Sequence, residues 1–368
     1  MPDILKIPAV FVRGGTSRAV FFHSSDLKDF SSQQIDSILL TVLGSPDNSG
    51  RQVDGLGGGF SSLSKAAIIS PSTMPDIDID FNFAQVSINS SFVDWSGTCG
   101  NISSAVGPFA ISEGLVESTK PVTELRVRSV NTGKTFLCGI PVSEHGPISE
   151  GDFAIDGVPG TASRIYLKFY NPGGSLGKGV LPTKSPIDNI KIPSGEVYRA
   201  SVIDVGIPTI FVLAEELNHR MTATLEDLDS DWETKNILED IRCEVAVMLG
   251  LAPDSNTAHT EFQALPKIVM IEPKNSYIAR DKKKIDLDLI DLRAIAISMN
   301  QAHRTYPVSV SMATAAAAHM SGTLVSELTK NLRDRELCIG HPNGVMKVEI
   351  DVLESPDGWE VPSVTIFR

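Results

Sequence analysis

Residues 9–22 read AVFVRGGTSRAVFF, and residues 200–213 read ASVIDVGIPTIFVL. Each is an apolar run, a break carrying Gly15 or Gly206, and a second apolar run, as two strands joined by a tight turn would be. Working outward, three more pairs follow in the same order. LSKAAIISP at 63–71 is matched by LPKIVMIEP at 265–273. The small-residue segment from Cys99 ends in Gly-Leu-Val at Val116, and the Ala-rich segment from Ser309 ends in Gly-Thr-Leu-Val at Val325. ELRVRSVNTGKTFLC from Glu124 is matched by ELCIGHPNGVMKVEI from Glu336, each a strand, an Asn-Gly-type turn and a strand. Four matches in series point to an internal duplication.

The fold class that follows is α+β, with two pseudo-symmetric domains. Most segments are short apolar or alternating runs, as strands are. Residues 101–112 and 310–320 are helical but small and apolar all round, and a helix of that kind belongs inside something. Each half is therefore expected to be a curved β-sheet or barrel wrapped around one central helix. Amphipathic helices at 31–43 and 232–249 should lie outside. The Pro/Gly/Ser/Lys-rich stretch 171–194, NPGGSLGKGVLPTKSPIDNIKIPS, reads as a linker or crossover. Domains are expected at 1–184 and 185–368, with the last strand free to return to the first.

Composition narrows the function. The chain has 368 residues, 42 % of them apolar, and a formal charge of −13. No basic block exceeds Lys282-Lys283-Lys284, which argues against a nucleic-acid partner. No apolar run approaches the roughly 18 residues that span a bilayer, so a membrane is not expected either. The N-terminus, with Asp3 and Lys6, does not read as a secretory signal. Four scattered cysteines with no CxxC pair read as reduced thiols, and the expected compartment is the cytoplasm. None of the seven His has metal-site spacing, so no metal is expected.

Three places carry chemistry. The first is SGTCGN, 96–101, at the start of the first central helix, where unpaired N–H groups favour an anion. Cys99 there is either an acid, base or nucleophile, or a small buried hydrophobe. The second is Lys65, after the glycine-rich loop DGLGGGFSS. Burial would lower its pKa and make its neutral amine a base; otherwise it is a surface lysine at a strand start. The glycine run fits neither a P-loop nor a dinucleotide fingerprint. The third is RGGTSR, 13–18, where Thr16, Ser17 and an arginine could hold an anion, or which is simply a hairpin. The second central helix starts without a cysteine. Ser309, Ser311 and Thr314 there are caps or ligand donors in equal measure. Arg51, Arg280 and Arg304 are further cationic candidates, and His341 reads as a hairpin residue.

RGGTSRAVFF, SPDNSGRQVDGLGGGFSSLSKAAIISPS, FVDWSGTCGNISSAVGPFAISEGLV and GHPNG together resemble the PrpF family of 2-methylaconitate cis-trans isomerases and its methylitaconate Δ-isomerase and aconitate isomerase relatives. The resemblance implies a diaminopimelate-epimerase-like fold with the site between the domains, and no cofactor. It makes Lys65 the principal base, with Cys99 facing it as a second acid/base or substrate-orienting group, both in the first expected domain. Thr16, Ser17, Arg18, Ser64, Gly100, Asn101, Arg280, Ser309 and Ser311 become the candidate substrate contacts. Arg18, Thr98 and Ile207 depart from the family pattern, which bears on substrate identity. The implied reaction is proton abstraction from an allylic carbon of a small unsaturated di- or tricarboxylate. The rivals are a single-carbon epimerase of the same fold and a non-catalytic carboxylate-binding protein. Partners are thus the polycarboxylate and, as an option the sequence leaves open, a second copy of the chain in a homodimer.

Overall fold

In the computed structural model, which describes residues 5–368 apart from 219–220, 222–224, 263–264, 299–300, 331, 333–334 and 357, the quoted repeat is a repeat of hairpins. β1 (Val10–Gly14) and β2 (Ser17–His23) pair antiparallel with Gly14 opposite Ser17, leaving Gly15-Thr16 as the turn. β2 then runs parallel to β3 (Lys65–Pro71), with helix α1 (Ser32–Leu43) in the crossover. β3 is antiparallel to β4 (Ile79–Val86), and β4 is parallel to β5 (Val122–Ser129) after helix α2 (Gly100–Ser112). β5 closes a hairpin with β6 (Thr135–Ser143).

The second half repeats this pairing for pairing. β7 (Val197–Val205) and β8 (Ile207–Leu213) form the hairpin around Gly206. β8 is parallel to β9 (Lys267–Pro273), after helix α3 (Trp232–Met248). β9 is antiparallel to β10 (Leu292–Ser298), which is parallel to β11 (Glu336–His341) after helix α4 (Val308–His319). β11 pairs antiparallel with β12 (Gly344–Ser355), and β13 (Gly358–Phe367) adds a strand to β12.

The apolar runs explain the layers. On β2, Val20 and Phe22 join Leu39 and Leu43 of α1 in one core. Phe21, on the other face, meets Phe109 of α2 with ring centroids 5.2 Å apart. A strand covered on both faces reads as continuous rather than alternating hydrophobe. β8 does the same: Ile210 and Val212 pack with Leu238, Ile241 and Val245 of α3, while Phe211 and Leu213 pack with the alanines of α4. α2 is buried throughout except at Pro108 and Ser112, and packs against β1, β2, β3, β4 and β6. The expected central and outer helices are thus in place. α1 starts with a capping box, Ser31 and Gln34 each accepting the other's backbone N–H, and stops at Gly44 in the left-handed region.

Contacts divide the chain into one unit of Met1–Lys168 with Phe367–Arg368 and another of Phe169–Ile366. The changeover lies ahead of the expected boundary at 184/185. The reason is Asp204, fully buried at the end of β7. Its carboxylate accepts from the Ser175 hydroxyl at 2.6 Å and the Leu176 N–H at 2.8 Å, and its backbone bonds Gly174 and Val180. The stretch that looked like a linker is therefore folded onto the second unit.

The hairpin glycines are there because each turn presses on the first turn of a central helix. A Cβ on Gly15 (φ +53°) would lie 2.5 Å from Asn101 Oδ1, and one on Gly206 (φ +76°) 2.7 Å from Ser309 O. Gly206→Ala combines left-handed strain with a backbone clash. It is expected to cost about 2–3 kcal/mol, read as a lowered urea midpoint at unchanged m-value. Among the described residues, no helix is long and apolar enough to cross a membrane.

Candidate active site

Lys65 opens β3 directly opposite Gln85 of β4. It is 7 % exposed, so it is no surface lysine. Its Nζ donates to Gln85 Oε1 and lies 5.1 Å from the centroid of the Phe83 ring. Burial pushes its ammonium below the usual lysine range, and the charge of Cys99 opposes that shift. A buried amine that is easily kept neutral is what a carbon-acid base requires.

Cys99 is the N-cap of α2, in extended conformation, and its C=O accepts the Ser103 N–H at 2.9 Å and the Ser103 hydroxyl at 3.0 Å. The first turn of α2 holds no acidic residue and no capping side chain, so its positive end is not offset locally. Gly100 and Asn101 are buried in that turn. Asn101 Nδ2 donates to Thr16 Oγ1 at 3.1 Å, and Arg368 Nε donates to Asn101 Oδ1 at 3.1 Å. Desolvation brings the Arg368 guanidinium down to about 10, against the field of Cys99. Thr16, Asn101, Arg368 and Cys99 thus gather at one helix N-terminus, a cationic and donor-rich place suited to a carboxylate. Lys65 and Cys99 both belong to the first unit. β3 and the start of α2 are parts of one sheet-and-helix assembly, within the span 1–184 where both residues were expected.

The other candidates divide. Ser17 is buried opposite Gly14 in the hairpin. The Arg18 guanidinium lies 5.1 Å from the Phe11 ring centroid, and its Nη2 is next to Gly58 of the glycine-rich loop. Among the described residues, Arg18 Nε and Thr98 Oγ1 are buried without a hydrogen-bond partner. Ser64 helps to build the loop ahead of Lys65. It is fully buried, and its hydroxyl accepts Gln52 Nε2 at 2.8 Å. Gln52 also donates to Ser45 and accepts the Gly59 N–H, which fixes the loop before Lys65. Asp47, held down to about 2 by the Ser49 hydroxyl and by backbone N–H groups, anchors the same loop.

In the second unit, Ser311 is fully buried in α4, and its hydroxyl donates to Val308 O at 2.8 Å. Thr314 does likewise to Val310 O. Ser309 is half-buried in the first turn of α4. Arg280 is exposed after the short strand Tyr277–Ile278, its N–H bonded to Pro342 O.

Sequence reasoning missed Gln85 and Arg368. Neither stands in a motif; the signals available were the strand pairing of 65 with 85 and the expected return of the last strand. Gly15 and Arg368 also wall a cavity of about 330 Å³ in the first unit with Arg13, Ser104, Pro108 and Phe153, which Lys65 and Cys99 do not line. The described residues hold one cluster of metal-ligand types, Glu239, Cys243 and His259, with ligand atoms within 4.8 Å of one another. Its carboxylate is already held by Arg242 at 2.6 Å and His259 at 2.9 Å, and burial pushes the Cys243 thiol up to about 12, so it reads as an ion-pair network.

The family model described as PrpF protein matches residues 4–368. The 2-methyl-aconitate isomerase of Cupriavidus necator is 37 % identical over 375 residues, covering 99 % of this chain and 94 % of that protein. The crystal structure of a methylitaconate-delta-isomerase matches with a TM-score of 0.82 at 35 % identity, over 99 % of this chain and 93 % of that one. A probable proline racemase from Agrobacterium radiobacter K84 matches with a TM-score of 0.55 at 11 % identity, over 99 % of this chain and 91 % of that one, a likeness of fold alone. The duplicated α+β fold is therefore of the racemase–epimerase kind. With its family model running from residue 4 to residue 368 and isomerases as its relatives, the chain belongs to the PrpF family.

Proposed function

We propose that this protein is a cofactor-independent isomerase that shifts or rotates the double bond of a small unsaturated di- or tricarboxylate of the 2-methylaconitate or aconitate type. The observation that carries this reading is a buried lysine amine whose pKa burial lowers, in the same unit as a cysteine-capped helix N-terminus furnished with Asn101, Thr16 and Arg368. Neutral Lys65 removes a proton from the methylene next to the double bond and becomes an ammonium. The electron pair of the broken C–H bond delocalises into the substrate's double bond and carboxylate. Donors at the start of α2 and the Arg368 guanidinium meet the charge as it grows. Return of the proton to the far carbon moves the double bond; rotation followed by return to the original carbon changes its geometry. Cys99 orients the acid or relays the proton. The relatives named for isomerisation of methylaconitate and methylitaconate support this substrate class.

Proton NMR in deuterated water, with 2-methylaconitate, aconitate and methylitaconate in turn, tests the reading. The expected result is deuterium wash-in accompanied by a shifted or re-oriented double bond. Inversion at one carbon without such a shift would convert the reading to epimerisation, and no exchange with any of the acids would leave only a binding role. Four free cysteines support a reducing compartment, the cytoplasm, as the place of action.

A further inference from the structure

We propose that Gln85 is a positioning residue for the amine of Lys65: its side-chain oxygen takes one N–H of the amine, aims the lone pair, and leaves the lysine free to give up its charge. The inference rests on the reading of Lys65 as the base. Three bonds fix the Gln85 amide. Its Nε2 donates to Ser61 O at 3.1 Å and to Ser64 O at 2.9 Å, both in the turn before β3, and its Oε1 accepts from Lys65 Nζ. Turning the amide over would set its oxygen against two carbonyl oxygens and its NH₂ against the amine, so the orientation is determined by the network. The antiparallel register places residues 65 and 85 directly opposite, on the same face of the sheet.

A primary amine rotates about its terminal bond, and only one of the staggered orientations points the lone pair at a given carbon. An acceptor clamped on one side removes that freedom before substrate arrives. The choice of amide over carboxylate matters as much. Gln85 and the Phe83 ring accept the ammonium formed by proton abstraction without contributing a net charge. A glutamate of the same length would pair with Lys65 and hold it protonated at neutral pH. The groups facing Lys65 are Phe83 and Gln85 from β4 and Cys99 from the start of α2; Cys99 is the titratable one whose charge reaches it among the described residues.

The test is the pH dependence of kcat/KM for Gln85→Glu and Gln85→Met, measured beside Lys65→Ala, with melting curves for each. Gln85→Glu is expected to move the acidic limb up by one pH unit or more, with about tenfold or greater loss at pH 7 that recovers as the pH rises. Gln85→Met removes the acceptor, so its limb moves down, while kcat falls about tenfold at every pH and KM stays within about threefold. A role confined to holding the 61–64 turn would lower activity in both variants without moving either limb, and that outcome would overturn the inference. If Gln85→Glu fails to fold, the direction of the Gln85→Met limb decides alone. Loss of activity in Lys65→Ala with unmoved limbs in the Gln85 variants refutes only the role of Gln85; an active Lys65→Ala refutes the base itself.

Discussion

Lys65→Ala is expected to lower turnover by about 10³-fold, since a positioned base supplies roughly 10²–10⁴. Deuterium wash-in should fall by the same factor, because removal of the carbon-bound proton is the step the amine performs. The fold should survive. The lost Nζ contact leaves Gln85 Oε1 short of one donor at a half-buried position of β4, a cost of about 1 kcal/mol, and Lys65→Met, which keeps the volume, bounds the packing contribution. Circular dichroism melting, together with binding of a non-isomerisable tricarboxylate such as citrate, separates chemistry from collapse. A folded Lys65→Ala enzyme with near-normal turnover would refute the assignment. The pH sign follows from the site. Burial lowers the lysine pKa, the neutral form is the one proposed to act, and so activity in the unaltered enzyme is expected to rise as pH increases through that lowered value.

The second large effect is expected at Arg368. Its guanidinium is anchored on Asn101 Oδ1, desolvated, and in the field of Cys99. A carboxylate bound at the start of α2 would meet a charge that water does not screen, and truncating one member of such a pair costs about 2–5 kcal/mol. Arg368→Leu should therefore raise KM by about 30-fold or more, with kcat falling less. Arg368→Lys should not restore it, because an ammonium lacks the planar fork that reaches Asn101 and a carboxylate together. Steady-state kinetics on the substrate found by NMR reads both numbers. An unchanged KM in Arg368→Leu would mean that the guanidinium serves Asn101 and not the substrate.

How much of this was legible from residues depends on how local each cause is. The AVFF run of β2 and the IFVL run of β8 declare strands covered on both faces, and the small-residue segments declare helices with no outward side. Gly15 and Gly206 mark the hairpins because a helix start lies against each turn. Lys65 and Cys99 stood out because glycines beside a lysine and a cysteine leave room for a ligand to approach them. What was hidden is non-local. Gln85 acquires its role only through the register of β3 with β4. Ser64 and Ser311 resemble ligand donors in one dimension, yet both are fully buried. The 171–184 stretch has linker composition, yet it is gathered by one buried carboxylate, Asp204.

The hydrogen bond between Arg368 and Asn101 joins positions 267 residues apart. On the ribosome, the sheet and helix bearing Lys65 and Cys99 emerge long before the guanidinium that bonds Asn101, and the whole of the second unit is made in between. A nascent chain can therefore build the scaffold of the first unit early, but the start of α2 acquires its guanidinium partner only after translation has passed through the other half.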